Sequence, residues 1–135
     1  MGGWQNDLPS AGLAARDLAI AAIRVHLGSG RDVVVPQYLR RVEFIERLEA
    51  TAERCGAVFV ETALRIDAAV AAERFAERAA ALGSEDVYST LPGDMGGVVV
   101  EFEEFLVSRP GVLRIASSDG ALRALEAAVA AATTR

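Results

Sequence analysis

Lysine is absent from this chain of 135 residues, in which all 14 basic residues are arginines. A glycine-rich phosphate loop of the Walker A type needs a lysine to reach the outer phosphates of a nucleotide, so the chain contains no such loop. Cysteine occurs once, at Cys55, which excludes an internal disulfide. His26 is the only histidine, and the chain therefore lacks the ligands of a zinc site.

The chain also has fewer positively charged than negatively charged side chains. The net charge of -5 and the pI near 4.9 argue against the basic face that a sequence-independent nucleic-acid binder needs, so we expect no nucleic-acid partner. The first residues lack a cationic region followed by an apolar core, and Arg16, Asp17 and Arg24 interrupt the alanine-rich stretch after them. We therefore expect a cytoplasmic protein without a membrane partner. A composition of 52% hydrophobic and 24% charged residues predicts one globular domain over residues 1–135.

Helical and strand-like patterns alternate along the chain. Ser10 is a predicted N-cap for a helix that ends near Gly28 and is apolar around most of its circumference, which favours burial on more than one side. The β-branched run at 32–36 predicts a strand, and a helix follows over 37–55. Further predictions are a strand at 57–64, a helix capped by Asp67, a helix through 95–106, a strand at 112–117 and a final helix capped by Asp119.

This order predicts an α/β fold with a mostly parallel sheet of about three strands, near 31–36, 57–64 and 112–117, and flanking helices. Ligands of such sheets bind beyond the carboxyl ends of the strands. Pro36, Gln37 and Tyr38 follow the first predicted strand, and Arg65 and Asp67 follow the second.

Four segments, at 32–41, 44–48, 56–61 and 74–78, together resemble the small P-loop kinases and AAA-type ATP-binding proteins, a group that includes zeta toxin, chloramphenicol phosphotransferase and gluconate kinase. The resemblance continues through 109–112 and the last predicted strand. It implies a three-layer P-loop NTPase-like fold whose first strand and phosphate loop are missing from this chain. ATP and Mg²⁺ are implied as cofactors only for a full-length enzyme that has this loop, and none is expected for this chain.

The resemblance also implies site residues. Gln37, with Arg40 or Arg41, matches positions that contact the substrate, and Arg74 and Arg78 match arginines that close on the nucleotide phosphates. Trp4 is either an apolar plug or a ring that stacks on the substrate. No residue is assigned a catalytic role. Arginines at i and i+4 share a helix face and repel by roughly 0.2 to 0.5 kcal/mol unless a carboxylate or an anion such as phosphate relieves them.

Each of these residues also has an ordinary structural explanation. Arg74 and Arg78 could pair with Glu73, Glu77 or solvent, since charged helix faces are usually solvated. Arg40 and Arg41 could form a surface set with nearby glutamates, and Gln37 could cap its own helix.

Three hypotheses about function remain open. The first is an ATP-dependent phosphotransferase acting on a small hydroxylated molecule, with a reading frame that begins upstream of Met1. The second is a truncated relative that does not catalyse and binds anions or small molecules. The third is an interaction protein that self-associates through unpaired strand edges. For these 135 residues we favour a truncated P-loop kinase-like protein that is inactive, with the binding protein and the self-associating protein as alternatives.

Overall fold

The structure, a computed structural model, describes residues 8–36, 41–82 and 95–134. The elements within these ranges are α1 (Leu8–Gly28), α2 (Val42–Arg54), β1 (Thr62–Arg65), α3 (Ala68–Leu82), α4 (Met95–Val107), β2 (Leu113–Ala116) and α5 (Ala121–Thr133). The fold is therefore α/β and mostly helical. The chain divides into two compact units, Met1–Phe59 and Val60–Arg135, and each is described by itself. The single domain expected over the whole chain stays a prediction.

In the first unit, α1 packs against α2. The buried positions of α2 recur at helical spacing and form one face: Phe44, Ile45, Leu48, Thr51 and Ala52. The Thr51 hydroxyl donates to the Arg47 carbonyl at 2.6 Å, which satisfies a polar group in this apolar face. Helix α2 ends at Arg54, and Gly56 follows with a φ of 68°, the left-handed conformation that glycine adopts at helix ends.

Helix α1 differs from its prediction in two respects. It begins at Leu8, so Ser10 lies inside the helix and is not its N-cap. The stripe that includes Leu13, Leu18 and Val25 is exposed, whereas Ile20, Ile23 and Leu27 are half-buried. Burial on more than one side is thus wrong for the described structure, because α1 packs against α2 with one face only.

The predicted strand near 31–36 is also wrong. Residues 31–36 form irregular chain, and Val34 is 81% exposed. A β-branched run has a high strand propensity, but a strand exists only where another strand accepts its backbone hydrogen bonds. No described strand pairs with this segment. The helix predicted for 37–55 begins at Val42, and residues 37–40 lie outside the described ranges.

In the second unit, β1 and β2 form a parallel two-stranded sheet in which Thr62 is opposite Leu113 and Arg65 is opposite Ala116. The parallel direction confirms that part of the predicted fold. Strand β1 starts at Thr62, five residues after the predicted start at residue 57. The reason is that β2 pairs only with residues 62–65. The core contains the buried residues Ala63, Leu106 and Val112, with Phe102 and Phe105 of α4 packed against it.

Two of the predicted helix caps have opposite outcomes. The backbone N–H of Ala69 donates to Asp67 Oδ1 at 2.8 Å, which confirms Asp67 as the cap of α3. The N-cap of α5 is Gly120, and no side chain caps this helix, so the predicted capping role of Asp119 is wrong. The helix starts one residue later than the sequence pattern indicates.

Glu61, which directly precedes β1, forms an ion pair with Arg109 in which two guanidinium nitrogens contact one carboxylate oxygen. Arg109 Nε and Nη2 lie 3.1 and 2.7 Å from Glu61 Oε2, and the two side chains are 16% and 18% exposed. Arg109 belongs to the turn between α4 and β2, so the pair joins two segments that are distant in sequence.

Among the described residues, no helix has the length and apolar character needed to cross a membrane.

Candidate functional site

The carboxyl ends of β1 and β2 lie side by side in the second unit. The backbone N–H of Ser117 donates to the Arg65 carbonyl at 2.8 Å, which fixes the two strand ends in register. The chain enters α3 after β1 and α5 after β2. Because ligands of parallel sheets bind at this edge, the side chains gathered here form the candidate site.

Arg74 reaches this edge from α3. Its Nη1 donates to the Ser117 hydroxyl at 3.0 Å, a contact across 43 positions of sequence. Helix α3 can present Arg74 in this way because its start is fixed at Asp67, directly after β1. The structure therefore brings an arginine identified from the sequence to the carboxyl end of β2.

Arg74 and Arg78 are exposed, and Arg78 lies one helical turn beyond Arg74 on α3. No carboxylate within 8–36, 41–82 and 95–134 forms an ion pair with either guanidinium, so the predicted alternative of pairing with Glu73 or Glu77 is not realised there. Within the described residues, the Ser117 hydroxyl is thus the partner of Arg74. The two arginines place two positive charges on one face of α3, with Arg74 at the carboxyl end of β2 and Arg78 one turn further along the helix.

The side chains of Arg65 and Asp67 make contacts that stabilise the second unit. Arg65 Nε donates to Glu103 Oε1 of α4 at 2.7 Å, so its charge is compensated. Asp67 accepts the α3 capping bond with its carboxylate. Both lie at the carboxyl edge of the sheet, where Arg65 Nε and Asp67 Oδ1 are engaged by groups of the second unit.

The remaining predicted site residues belong to the first unit or lie outside the described residues. Arg41 belongs to the first unit, where it is exposed and precedes α2 without a side-chain capping bond. Trp4, Gln37 and Arg40 lie outside the described residues.

The start of α5 adds to the electrostatics of the edge. The helix begins at Ala121, four residues after Ser117, and no side chain caps it. The first N–H groups of a helix have no partner within the helix, and its N-terminus has a partial positive charge. The amino end of α5 therefore contributes a partial positive charge, next to the negative Asp119 side chain, and its first N–H, that of Ala121, donates to the Ser118 carbonyl.

The donor groups at this edge suit a phosphate group. Arginine guanidinium and hydroxyl groups bind phosphate oxygens, whereas Mg²⁺ needs oxygen ligands such as carboxylates. No group of three or more acidic, histidine or cysteine side chains is suitably placed among the described residues. The lysine and glycine-rich loop that would hold a triphosphate are not in the sequence.

Comparison with known proteins adds no family to this picture: no family model, curated protein or solved structure matches the chain.

Ser117 is the residue of this site that sequence reasoning missed. It is the final residue of the strand predicted at 112–117, so the rule that directs attention to strand ends could have identified it. Its contact with Arg74 has no local sequence signal, because the two residues come from separate elements.

Proposed function

We propose that this chain binds the phosphate group of a small molecule at the carboxyl edge of its sheet, through Arg74 and Arg78. The scaffold that we propose is of the small P-loop kinase type, and the ancestral activity is ATP-dependent phosphoryl transfer to a small hydroxylated molecule. These 135 residues bind without transferring phosphate, since they lack the loop that holds the donor nucleotide.

The contact between Arg74 and Ser117 is the observation that carries this proposal. It holds a guanidinium at the end of a parallel strand, with Arg78 one turn away and the amino end of α5 following β2. Phosphate supplies the negative charge that relieves the repulsion between the two arginines, and a guanidinium matches its geometry with two parallel N–H donors.

The proposal can be tested by titrating the full chain with glycerol 3-phosphate, with glycerol as the uncharged control, and following backbone amide resonances by NMR. We expect glycerol 3-phosphate to shift the amides of α3 and of the turn after β2. The double variant Arg74→Ala, Arg78→Ala should lose these shifts. The variant Arg24→Ala, Arg31→Ala removes two exposed arginines of the first unit and should bind normally.

Two results would contradict the proposal. Equal loss of binding in both double variants would show that net charge, and not the carboxyl edge, controls the interaction. Tight, magnesium-dependent binding of a fluorescent ATP analogue by the same chain would show that it holds a nucleotide without a phosphate loop.

A further inference from the structure

One edge of β1 is open within the described part of the chain. The Glu61 carbonyl accepts from the Leu113 N–H at 2.9 Å, and the Arg65 carbonyl accepts from the Ser117 N–H at 2.8 Å. In a parallel pair the residues that bond to the partner alternate along the strand, so the odd-numbered residues of β1 bond to β2. The N–H and C=O groups of Thr62 and Leu64 point to the other side, where no described strand accepts them.

This edge lacks proline and does not carry an excess of charge of one sign. Proteins protect open edges by keeping the edge strand short, with proline, with charged side chains, with bulges, or by covering the edge with a helix or loop. Strand β1 is short, at four residues, but the charged side chains at its two ends, Glu61 just before it and Arg65 as its last residue, have opposite signs. Leu64 is 54% exposed on the face of the sheet opposite to the buried Ala63. The edge therefore combines an exposed leucine with opposite charges at its two ends, which suits an antiparallel strand that presents the same charges in reverse order.

We propose that β1 pairs with β1 of a second copy of this chain, antiparallel, across a two-fold axis at Ala63. In this register Thr62 lies opposite Leu64 of the second copy, and the reverse pair forms as well. These are the residues whose backbone groups point outward, so the free N–H and C=O groups of both copies are satisfied. The result is a four-stranded sheet in the order β2, β1, β1, β2.

Charge complementarity selects this register. With the axis at Ala63, Glu61 lies opposite Arg65 of the second copy, and symmetry repeats this pair of opposite charges. Moving the axis to Leu64 would place Glu61 opposite Asp67, which is a repulsive pair. Moving it to Thr62 would place Glu61 opposite Ala63 and lose both favourable pairs.

The size of the sheet favours the same conclusion. Two strands are fewer than an independently stable sheet usually needs, and parallel strands are usually covered on both faces. Leu64 and Leu113 lie on one face and are 54% and 42% exposed. Pairing of two copies doubles the number of strands and brings the exposed leucines of both copies into one surface. The pairing is independent of anion binding at the carboxyl edge.

Sedimentation equilibrium of the full chain, with Leu64→Lys and Leu113→Lys, tests the proposal. Both leucines are exposed on the same sheet face, but only Leu64 lies at the proposed interface between the two copies of β1. We expect the wild-type chain to be a dimer. Leu64→Lys should raise its dissociation constant roughly tenfold or more, because it places two lysines at the interface between the two copies of β1. Leu113→Lys should leave the dissociation constant unchanged. Circular dichroism confirms that each variant folds. A monomeric wild-type chain, or a dimer weakened only by Leu113→Lys, would overturn the proposal.

Disulfide trapping tests the register without relying on a destabilising change. In a Cys55→Ser background, Thr62→Cys and Leu64→Cys are prepared as separate proteins and oxidised alone and as an equal mixture. We expect the mixture to form far more cross-linked dimer than either protein alone, because position 62 faces position 64 of the other copy. Cross-linking that is equally efficient in the separate proteins would reject this register.

Discussion

At the scale of single residues, the ion pairs of the second unit differ chiefly in burial. The side chains of Glu61 and Arg109 are 18% and 16% exposed, whereas those of Glu103 and Arg65 are 34% and 50% exposed. Both pairs have an N···O distance of 2.7 Å. Water screens the exposed pair far more than the enclosed one, so equal geometry does not imply equal stabilisation.

We therefore predict unequal effects of removing each carboxylate charge. Glu61→Gln should lower the free energy of unfolding by about 1 to 3 kcal/mol, because the guanidinium opposite it is partly buried. Glu103→Gln should change it by less than about 0.5 kcal/mol. Urea denaturation of the two variants measures both values. Equal losses would mean that burial does not set the strength of these pairs.

At the scale of elements, the two helices that follow the strands begin in different ways. Helix α3 has a side-chain cap from Asp67, and α5 begins after Gly120 without one. The sequence pattern is similar in both places, with an aspartate close to an alanine-rich helix. The difference arises because the chain after β2 forms a turn in which Ala121 N–H donates to the Ser118 carbonyl at 3.0 Å, which moves the helix start past Asp119.

This difference predicts different costs for matched substitutions. Asp67→Ala should reduce stability by about 1 kcal/mol, since it removes the capping bond to the Ala69 N–H. Asp119→Ala should leave stability within about 0.5 kcal/mol of the wild type, because Asp119 caps no helix. Thermal unfolding followed by circular dichroism compares the two. A larger loss for Asp119→Ala would mean that the helix start differs from the one described.

The predicted strand near 31–36 and the confirmed strand β2 show what local sequence can establish for an element. Both segments are rich in β-branched or aliphatic residues. Leu113–Ala116 forms a strand because β1 lies beside it, and residues 31–36 form irregular chain because no described strand does. Helices depend less on distant residues, since their backbone hydrogen bonds are internal. This is why α3 and α4 could be predicted more closely than β1 and the segment at 31–36.

At the scale of the whole molecule, the net charge bears on whether the chain can bind nucleic acid. The net charge of -5 opposes association with nucleic acid, although single arginines can still hold a small anion. We predict that the chain does not retard a DNA duplex in a gel, even at low salt, where electrostatic binding is strongest. A retarded band that disappears as salt is added would show a basic surface that the composition does not indicate.

The helical segments, the Asp67 cap and the lack of a nucleotide-holding loop follow from the order of residues along the chain, because each depends on neighbours or on composition alone. The pairing of β1 with β2, the ion pair between Glu61 and Arg109, and the approach of Arg74 to Ser117 join residues more than 40 positions apart. Such contacts form only when the packed elements bring distant groups together. The candidate site at the carboxyl edge and the edge of β1 that no described strand pairs with are consequences of that packing.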